Sequence, residues 1–300
     1  MDVRRLEVLR ELQLRGTVTA VARATHRTPS AVSQQLKVLE REVGAPLTER
    51  SGRGLALTAA GEALAGAAAD VALAIAHAEE TWRSWLASPE GRVDVAVFPT
   101  GGSMFLPRLL ATVRDVPGLE VVATDVDTAH ADFARLVPDF DVVIALAVGP
   151  ARGWDDRDLV AVHLLDEPLD VALPADHPLA DRDAVTPADV AGEPWIGVPA
   201  DYPYERLLRE VERVAEQPLR VVQRFSDTRI TESLVAAGEG VALLPRFTSG
   251  GPGSGVVLKP LAQLAPTRRI AALLRRETTA RPSVRVVLDA LRAIAADLER

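Results

Sequence analysis

Ser30, Ser33, Gln34, Gln35 and Lys37 bring hydroxyls, amides and one amine onto successive turns of a short segment. Hydroxyl and amide groups both donate and accept, as reading base edges in a major groove requires, while an amine meets a phosphate. Val32, Leu36, Leu39 and Val43 fall between them at i, i+4, i+7 and i+11. On a 3.6-residue helix these four make one apolar stripe and leave the polar five on the opposite face. Thr28 can cap this helix and Pro29 suits its first turn, where no backbone donor is needed. Its leading residues are then Pro29, Ser30, Ser33 and Gln34, and a recognition helix meets bases with its N-terminal residues.

The elements that must hold this helix lie on either side of it. Upstream, Thr17 or Thr19 can cap a preceding helix whose free N–H groups would suit a phosphate. Downstream, Arg50 and Arg53 flank Ser51-Gly52, and Gly54 completes a turn before Leu55, Ala56 and Leu57. That hairpin reads as a wing, with Arg53 reaching backbone or minor groove. A helical hairpin with a merely solvated polar face is the plain alternative, and charge argues against it. Residues 1–57 hold ten Arg and Lys against six Asp and Glu, a net +4, within a chain of net charge -8 and pI near 5.3. The basic segment is the one with the motif, so its partner is expected to be double-stranded DNA, bound more weakly as salt rises.

Residues 58–88 read as one long helix, starting at a Thr58 cap and ending before Pro89. Leu64, Ala68, Val71, Ile75, Ala78, Trp82 and Trp85 are spaced 4-3-4-3-4-3, a heptad seam that predicts a partner helix. At 1.5 Å per residue the helix spans roughly 46 Å. A lone helix lying across the rest of the chain is the alternative. From residue 91 short apolar strands (92–98, 119–125, 141–148) alternate with helices near 103–115 and 128–137, the pattern of an α/β sheet. Strand 159–164 leads to a second series: strands near 169–173, 195–198, 219–224 and 241–244, and helices near 203–216 and 228–237. Strands 256–258 and 269–274 and a helix at 283–298 close the chain.

Residues 17–57 resemble the winged helix-turn-helix of LysR-type transcriptional regulators, and the remaining chain divides as those proteins do. The resemblance implies a multidomain α+β protein. A winged helix-turn-helix DNA-binding domain would cover 1–57 and a linker and dimerisation helix 58–90. A two-lobed, periplasmic-binding-protein-like effector domain would follow, with lobe one at 91–161 plus 268–300 and lobe two at 162–267. Two departures stand out: the family commonly has Arg where this chain has Gln34, and an aromatic where it has Thr48. The first bears on base preference and the second suggests looser packing under the wing. The resemblance makes the chain a DNA-binding transcriptional regulator that responds to a small metabolite. It would act as a dimer or tetramer whose association uses Leu64, Val71, Ile75 and Trp82, with RNA polymerase as a further partner.

Ligands in open α/β sheets bind beyond the C-terminal ends of strands, where helix N-termini point their free N–H groups. That rule selects Thr100, Gly101, Gly102 and Ser103 after strand 92–98. It also selects Val198 and Asp201 before one helix and Asp227 and Thr228 before another, although Asp227 suits an N-cap better than a ligand contact. Asp125 and Asp127 end their own strand and could meet an ammonium group. Together these suggest an anionic or zwitterionic effector.

No catalytic role is expected. Met104 and Phe105 follow Ser103 where a Gly-x-Ser-x-Gly elbow would need other residues, and HExxH, GxGxxG and the P-loop are absent. Zero cysteines exclude disulfides and thiolate metal sites, the five histidines form no ligand cluster, and no cofactor or metal is implied. No signal peptide is read and no apolar run is taken to reach transmembrane length, so a cytoplasmic protein without membrane contact is expected. Two other readings stay open from sequence: an architectural DNA binder whose C-terminal lobes only oligomerise, and an enzyme with an appended reader.

Overall fold

The computed structural model describes residues 1–51, 54–85, 89–126, 132–149, 154, 159–200, 202 and 204–300, with backbone alone for 51, 54 and 83–85. Three short helices open the chain: α1 (Val3–Arg15), α2 (Val18–Ala24) and α3 (Pro29–Val43). The side chains of Asp2, Thr17 and Thr28 cap them, accepting from Arg4 N (2.8 Å), Ala20 N (3.2 Å) and Ala31 N (3.2 Å). Gly16 (φ 72°) and Gly44 (φ 73°) end α1 and α3 in the left-handed conformation that glycine tolerates best. The hairpin β1 (Thr48–Ser51) and β2 (Gly54–Leu57) pairs antiparallel in the register Ser51↔Gly54. Leu9, Leu12, Val21, Val32, Leu36, Leu39 and Leu47 form this unit's core, which Ala65 and Ala68 of α4 (Ala59–Trp85) complete. Thr58 starts α4, its Oγ1 accepting from Gly61 N at 3.0 Å.

The rest of the chain is built on β3 (Gly91–Val97), α5 (Pro99–Val113), β4 (Leu119–Asp125), β5 (Val142–Val148) and β6 (Leu159–Pro174). Then come α6 (Pro187–Val190), β7 (Pro194–Gly197), α7 (Glu205–Ala215), β8 (Arg220–Arg224), α8 (Thr228–Ala236), β9 (Ala242–Pro245) and β10 (Val256–Lys259). The chain ends with β11 (Thr267–Arg275), a 3₁₀ helix (Arg276–Ala280) and α9 (Pro282–Leu298). The main sheet runs β10-β6-β11-β5-β3-β4, with β9 also paired to β6, while β7 and β8 pair in parallel beside it. Strands β3, β4 and β5 are mutually parallel, and β11 runs antiparallel between β5 and β6. Val95, Val97, Phe105, Leu109, Val142, Ile144, Leu165, Ile270, Leu273, Val287 and Leu291 pack one core under α5 and α9. Val171, Leu173, Val185, Trp195, Val211 and Val241 pack a second.

Several expectations shift. The strands read at 159–164 and 169–173 are one strand, β6, because the polar run Asp166-Glu167-Pro168 stays in the ladder. Residues 159–168 of β6 pair with β11 and 169–174 with β9 and β10. The change of partner thus falls after Pro168, where the sequence put the crossing at 161/162. α5 starts at Pro99, four residues before the expected 103, so Thr100, Gly101 and Gly102 are its first turn and not a loop before it. Of the helix expected over 128–137, residues 128–131 lie outside the described set and a 3₁₀ turn, Phe133–Arg135, follows.

Candidate DNA-reading helix and ligand cleft

On α3, Val32, Leu36 and Leu39 are buried. Ser30, Gln34 and Lys37 are exposed beside the half-buried Ser33 and Gln35, so the polar five share the outer face. Pro29 occupies the first turn, and Ser30 Oγ lies 3.0 Å from the capping Thr28 Oγ1. Of the two threonines offered as caps for α2, Thr17 is the cap; Thr19 stands exposed within the first turn. Arg50 is exposed on β1, and Arg53 lies outside the described residues.

The wing root corrects the looser packing expected at Thr48. Glu40 Oε1, on the recognition helix, accepts from Leu47 N, Thr48 N and Thr48 Oγ1, each at 2.9 Å. One carboxylate oxygen therefore binds three donors at the start of β1, where an aromatic would have packed. Polar anchoring replaces apolar filling and fixes the wing to the helix that reads.

The seam on α4 also differs from a continuous stripe. Ala68 is buried, and Leu64 and Val71 pack against the reader's own core. Ile75 is 42% exposed and Trp82 61% exposed, so the C-terminal half of the seam carries the open apolar surface. By length and composition α4 is apolar enough to cross a membrane, with mean hydropathy 1.5 over Ala59–Trp82, which corrects the expectation that no apolar run is that long. Within the chain α4 packs against α1, β2 and the 3₁₀ helix Arg276–Ala280. That 3₁₀ helix is ion-paired to the reader through Glu277 with Arg10 and to α4 through Arg276 with Asp70 at 3.1 Å. Arg15 adds Asp139 at 2.8 Å.

A cleft of about 480 Å³ opens where the two sheet regions meet, a volume suited to a small molecule. Thr100, Gly102 and Ser103 of α5, Asp125 at the end of β4, and Ser226, Asp227 and Thr228 at the start of α8 line it. No side chain caps α5, and Pro99 at its start supplies no N–H, so among the described residues the remaining free donors of its first turn have no side-chain acceptor. Asp227 caps α8 through Arg229 N (2.9 Å) and pairs with the Arg229 side chain (2.9 Å), which holds its carboxyl below the usual range. The expected contacts do not all arrive. Gly101 is not among the lining residues, because its α-carbon faces the Phe98 ring, 2.7 Å from where a Cβ would sit. Val198 is half-buried away from the cleft, its carbonyl accepting from Arg224 Nη1 at 2.7 Å. Asp127 and Asp201 lie outside the described residues.

Sequence reasoning missed the charge at the bottom of the cleft. Arg268, 1% exposed at the start of β11, lines it together with Tyr204, Tyr202 and Phe98. Its Nε donates to Glu167 Oε2 (2.7 Å), and its Nη1 to Thr100 Oγ1 (2.9 Å) and Tyr204 Oη (2.8 Å). Nη2 lies 2.6 Å from the same Glu167 oxygen, completing the ion pair. The guanidinium also stands 5.2 Å from the Phe98 ring centroid. Glu167, fully buried, holds Phe247 N on its other oxygen at 2.9 Å. The available signal was alternation: Arg268 shares the inward face of its strand with Ile270.

A winged helix-turn-helix with an outward polar recognition face, joined by a long helix to a sheet domain with a central cleft, defines a ligand-responsive DNA-binding regulator. Residues 3–62 match the bacterial regulatory helix-turn-helix protein, lysR family, and residues 86–296 match the LysR substrate binding domain. The chain belongs to the LysR family of DNA-binding transcriptional regulators. It is 28% identical over 306 residues to the DNA-binding transcriptional dual regulator OxyR of Escherichia coli K12, covering 98% of this chain and 95% of that one. To the Hca operon transcriptional activator HcaR of the same organism it is 27% identical over 273 residues, 89% of each. Among solved structures, a full-length OxyR variant from Pseudomonas aeruginosa shares the fold with a TM-score of 0.62 at 20% identity, over 97% of this chain and 98% of that one. Full-length CbnR complexed with its target DNA does so with a TM-score of 0.53 at 20% identity, over 98% and 100%.

Proposed function

We propose that this regulator reads its operator with Ser30, Ser33, Gln34 and Gln35, and meets phosphates with Lys37, Arg50, Arg53 and the N-terminus of α2 near Thr17 and Thr19. Its activity would be set by a small acid in the cleft. Two copies associate through the open part of the α4 seam, at Ile75 and Trp82, so that two readers reach two half-sites; tetramers are pairs of such dimers. For such motifs half-sites lie about 34–36 Å apart or at multiples of that distance. The effector domain divides into two lobes, and the effector binds one arrangement of them more tightly than another, which is the only way a ligand shifts an equilibrium. The reader spacing, the bend in the DNA and the access of RNA polymerase follow from that shift. The protein works in the cytoplasm and carries out no reaction of its own.

The observation that carries this reading is the cleft itself, lined from both sheet regions and floored by the uncapped start of α5. An architectural binder whose lobes only oligomerise would have no use for it. Some relatives are named hydrogen peroxide-inducible genes activators. This chain has no cysteine, so a thiol cannot sense peroxide here. Thermal shift of the full-length protein against a metabolite library, followed by DNA bend angle with and without each hit, tests the reading. A stabilising acid that changes the bend supports it. Identical bends and identical transcription for every stabilising compound would remove the switch, and turnover of a hit would make the protein an enzyme.

A further inference from the structure

We propose that Glu40 and Thr58 are positioning residues: together they clamp the wing root into a rigid joint between the recognition helix and α4, and the angle of that joint fixes which half-site spacing the regulator accepts. This rests on the reading above that two copies associate through α4 and bring two readers to two half-sites.

The joint is one short segment gripped from both sides. Pro46, Leu47 and Thr48 lie between the glycine that ends α3 and the pairing of Thr48 with Leu57. The N–H groups of this segment go to the recognition helix. Leu47 N and Thr48 N donate to Glu40 Oε1 at 2.9 Å, and Thr48 Oγ1 is a third donor at the same distance. Two of its carbonyls go to the start of α4: Thr58 N donates to Leu47 O at 3.0 Å, and Thr58 Oγ1 to Pro46 O at 2.8 Å. The same hydroxyl accepts from Gly61 N at 3.0 Å, so its hydrogen is spent on the wing root while its oxygen holds α4. Packing closes the joint. A Cβ on Gly61 would stand 2.1 Å from Leu47 O, so the first turn of α4 lies directly on that carbonyl, and the Leu47 side chain is buried in the reader's core.

Electrostatics mark Glu40 as more than a surface acid. It sits in the last turn of α3, where the helix dipole opposes a carboxylate. Hydrogen bonds to an ionised acceptor are the strong ones, and three of them on one oxygen offset that opposition. Leverage then turns a local angle into a spacing. At 1.5 Å per residue Trp82 lies roughly 36 Å along α4 from Thr58, so a tilt of about 10° at the joint moves it by roughly 6 Å, near two base pairs at about 3.4 Å each. A joint held on both sides therefore selects one spacing, whereas a loose one would tolerate several.

The probe is a set of duplexes carrying the half-site that the full-length parent selects from random sequence, either singly or as inverted pairs with spacers stepped by single base pairs over about one helical turn. The parent should bind one spacer at least about a hundredfold more tightly than the single half-site, because the second contact is then intramolecular. Glu40→Ala, Thr58→Val and the wedge Gly61→Ala should each cut that advantage about tenfold and spread it over neighbouring spacers, with single half-site affinity kept within about threefold. Thr58→Ser, which keeps both bonds of the hydroxyl, should reproduce the parent profile. Circular dichroism checks the fold and light scattering the dimer; three variants that attack the joint from different sides keep the test decisive if one of them misfolds. Folded dimeric variants whose spacer profiles superimpose on the parent's would overturn the joint. Single half-site binding that falls in parallel with the peak would also overturn it, since Glu40 and Thr58 would then hold the reader together without aiming it. A parent that binds every pair no better than a single half-site, before any variant is compared, sinks the two-reader reading and the role of the joint with it.

Discussion

Replacing Arg268 with methionine keeps much of the side chain's volume and removes its charge. What remains is a fully buried Glu167 carboxylate whose only retained partner among the described residues is Phe247 N at 2.9 Å. Breaking a buried ion pair by removing one member costs about 3–5 kcal/mol, because the surviving charge is left in a medium that solvates it poorly. The lost stacking on Phe98 lies within that range. For a unit of about 200 residues, 1 kcal/mol moves the melting temperature by about 2–4 °C, so a fall of roughly 6–20 °C is expected. Glu167→Gln alone strands the guanidinium instead, and should destabilise in the same direction. The double variant Arg268→Met with Glu167→Gln buries no charge at all and still offers Phe247 N a carbonyl oxygen. Its melting temperature should recover to within a few degrees of the parent, since a neutral replacement of a buried pair is often no worse than the pair. Differential scanning calorimetry of the full chain is the assay, because a chain of two domains need not unfold in a single transition. Singles within 2 °C of the parent, or a double no more stable than either single, would show that Glu167 and Arg268 are not a desolvated pair and would refute the reasoning.

Four further outcomes are expected. Gln34→Ala should cost about 1–3 kcal/mol at one operator position and relax preference there, measured by binding to single-base operator variants; equal loss on every sequence would mean that Gln34 does not read bases. Ile75→Glu with Trp82→Glu places charges on the exposed half of the α4 seam and should give monomers by light scattering, with the reader's core, which Ala65 and Ala68 complete, left folded. Tyr204, at about 12 when folded and near 10 unfolded, keeps its proton between those values while the unfolded chain releases it. Its contribution is therefore complete below pH 10 and lost toward pH 12, by roughly 3 kcal/mol, so urea midpoints should fall more steeply over that interval for the parent than for Tyr204→Phe. Glu277→Gln weakens the pair with Arg10 and should leave acid binding unchanged while reducing the effect of acid on DNA affinity, read by anisotropy; an undiminished effect would take that contact out of the coupling.

The reader was legible because its signals are local. Caps at Thr17 and Thr28, the proline at 29, glycines at 16 and 44 and an i, i+4, i+7 stripe each act within one helix, and no distant residue has to cooperate. The cleft was half legible. Thr100, Gly102, Ser103, Asp227 and Thr228 follow from where strands end, but the start of α5 was misplaced because Gly101-Gly102 reads as a turn. Gly101 is helical here, its missing side chain making room for the Phe98 ring. Arg268 was illegible as a cleft residue because everything it does is remote: its partners Glu167 and Thr100 lie 101 and 168 positions away. The same pairing explains why β6 reads as two strands. Asp166-Glu167-Pro168 looks like a break until the arginine that neutralises Glu167 is placed across the ladder.

That ladder joins the two functional ends of the molecule. β11 carries Arg268 near its start and runs paired to β5 as far as Leu273 and to β6 as far as Arg275. At 3.3 Å per residue this is roughly 23 Å of strand. The 3₁₀ helix that follows without a break holds Arg276 against Asp70 of α4 and Glu277 against Arg10 of α1. A strand with neighbours on both sides cannot slip by itself, since that would unpair two ladders, so a displacement at Arg268 must move as a body with the sheet or not at all. Because the same short helix is ion-paired to both the linker helix and the reader, movement of that body changes the reader's own contacts. An acid bound at one end and the DNA-binding unit at the other would then press on one continuous element, and such coupling would need no chain of side chains threaded through the core.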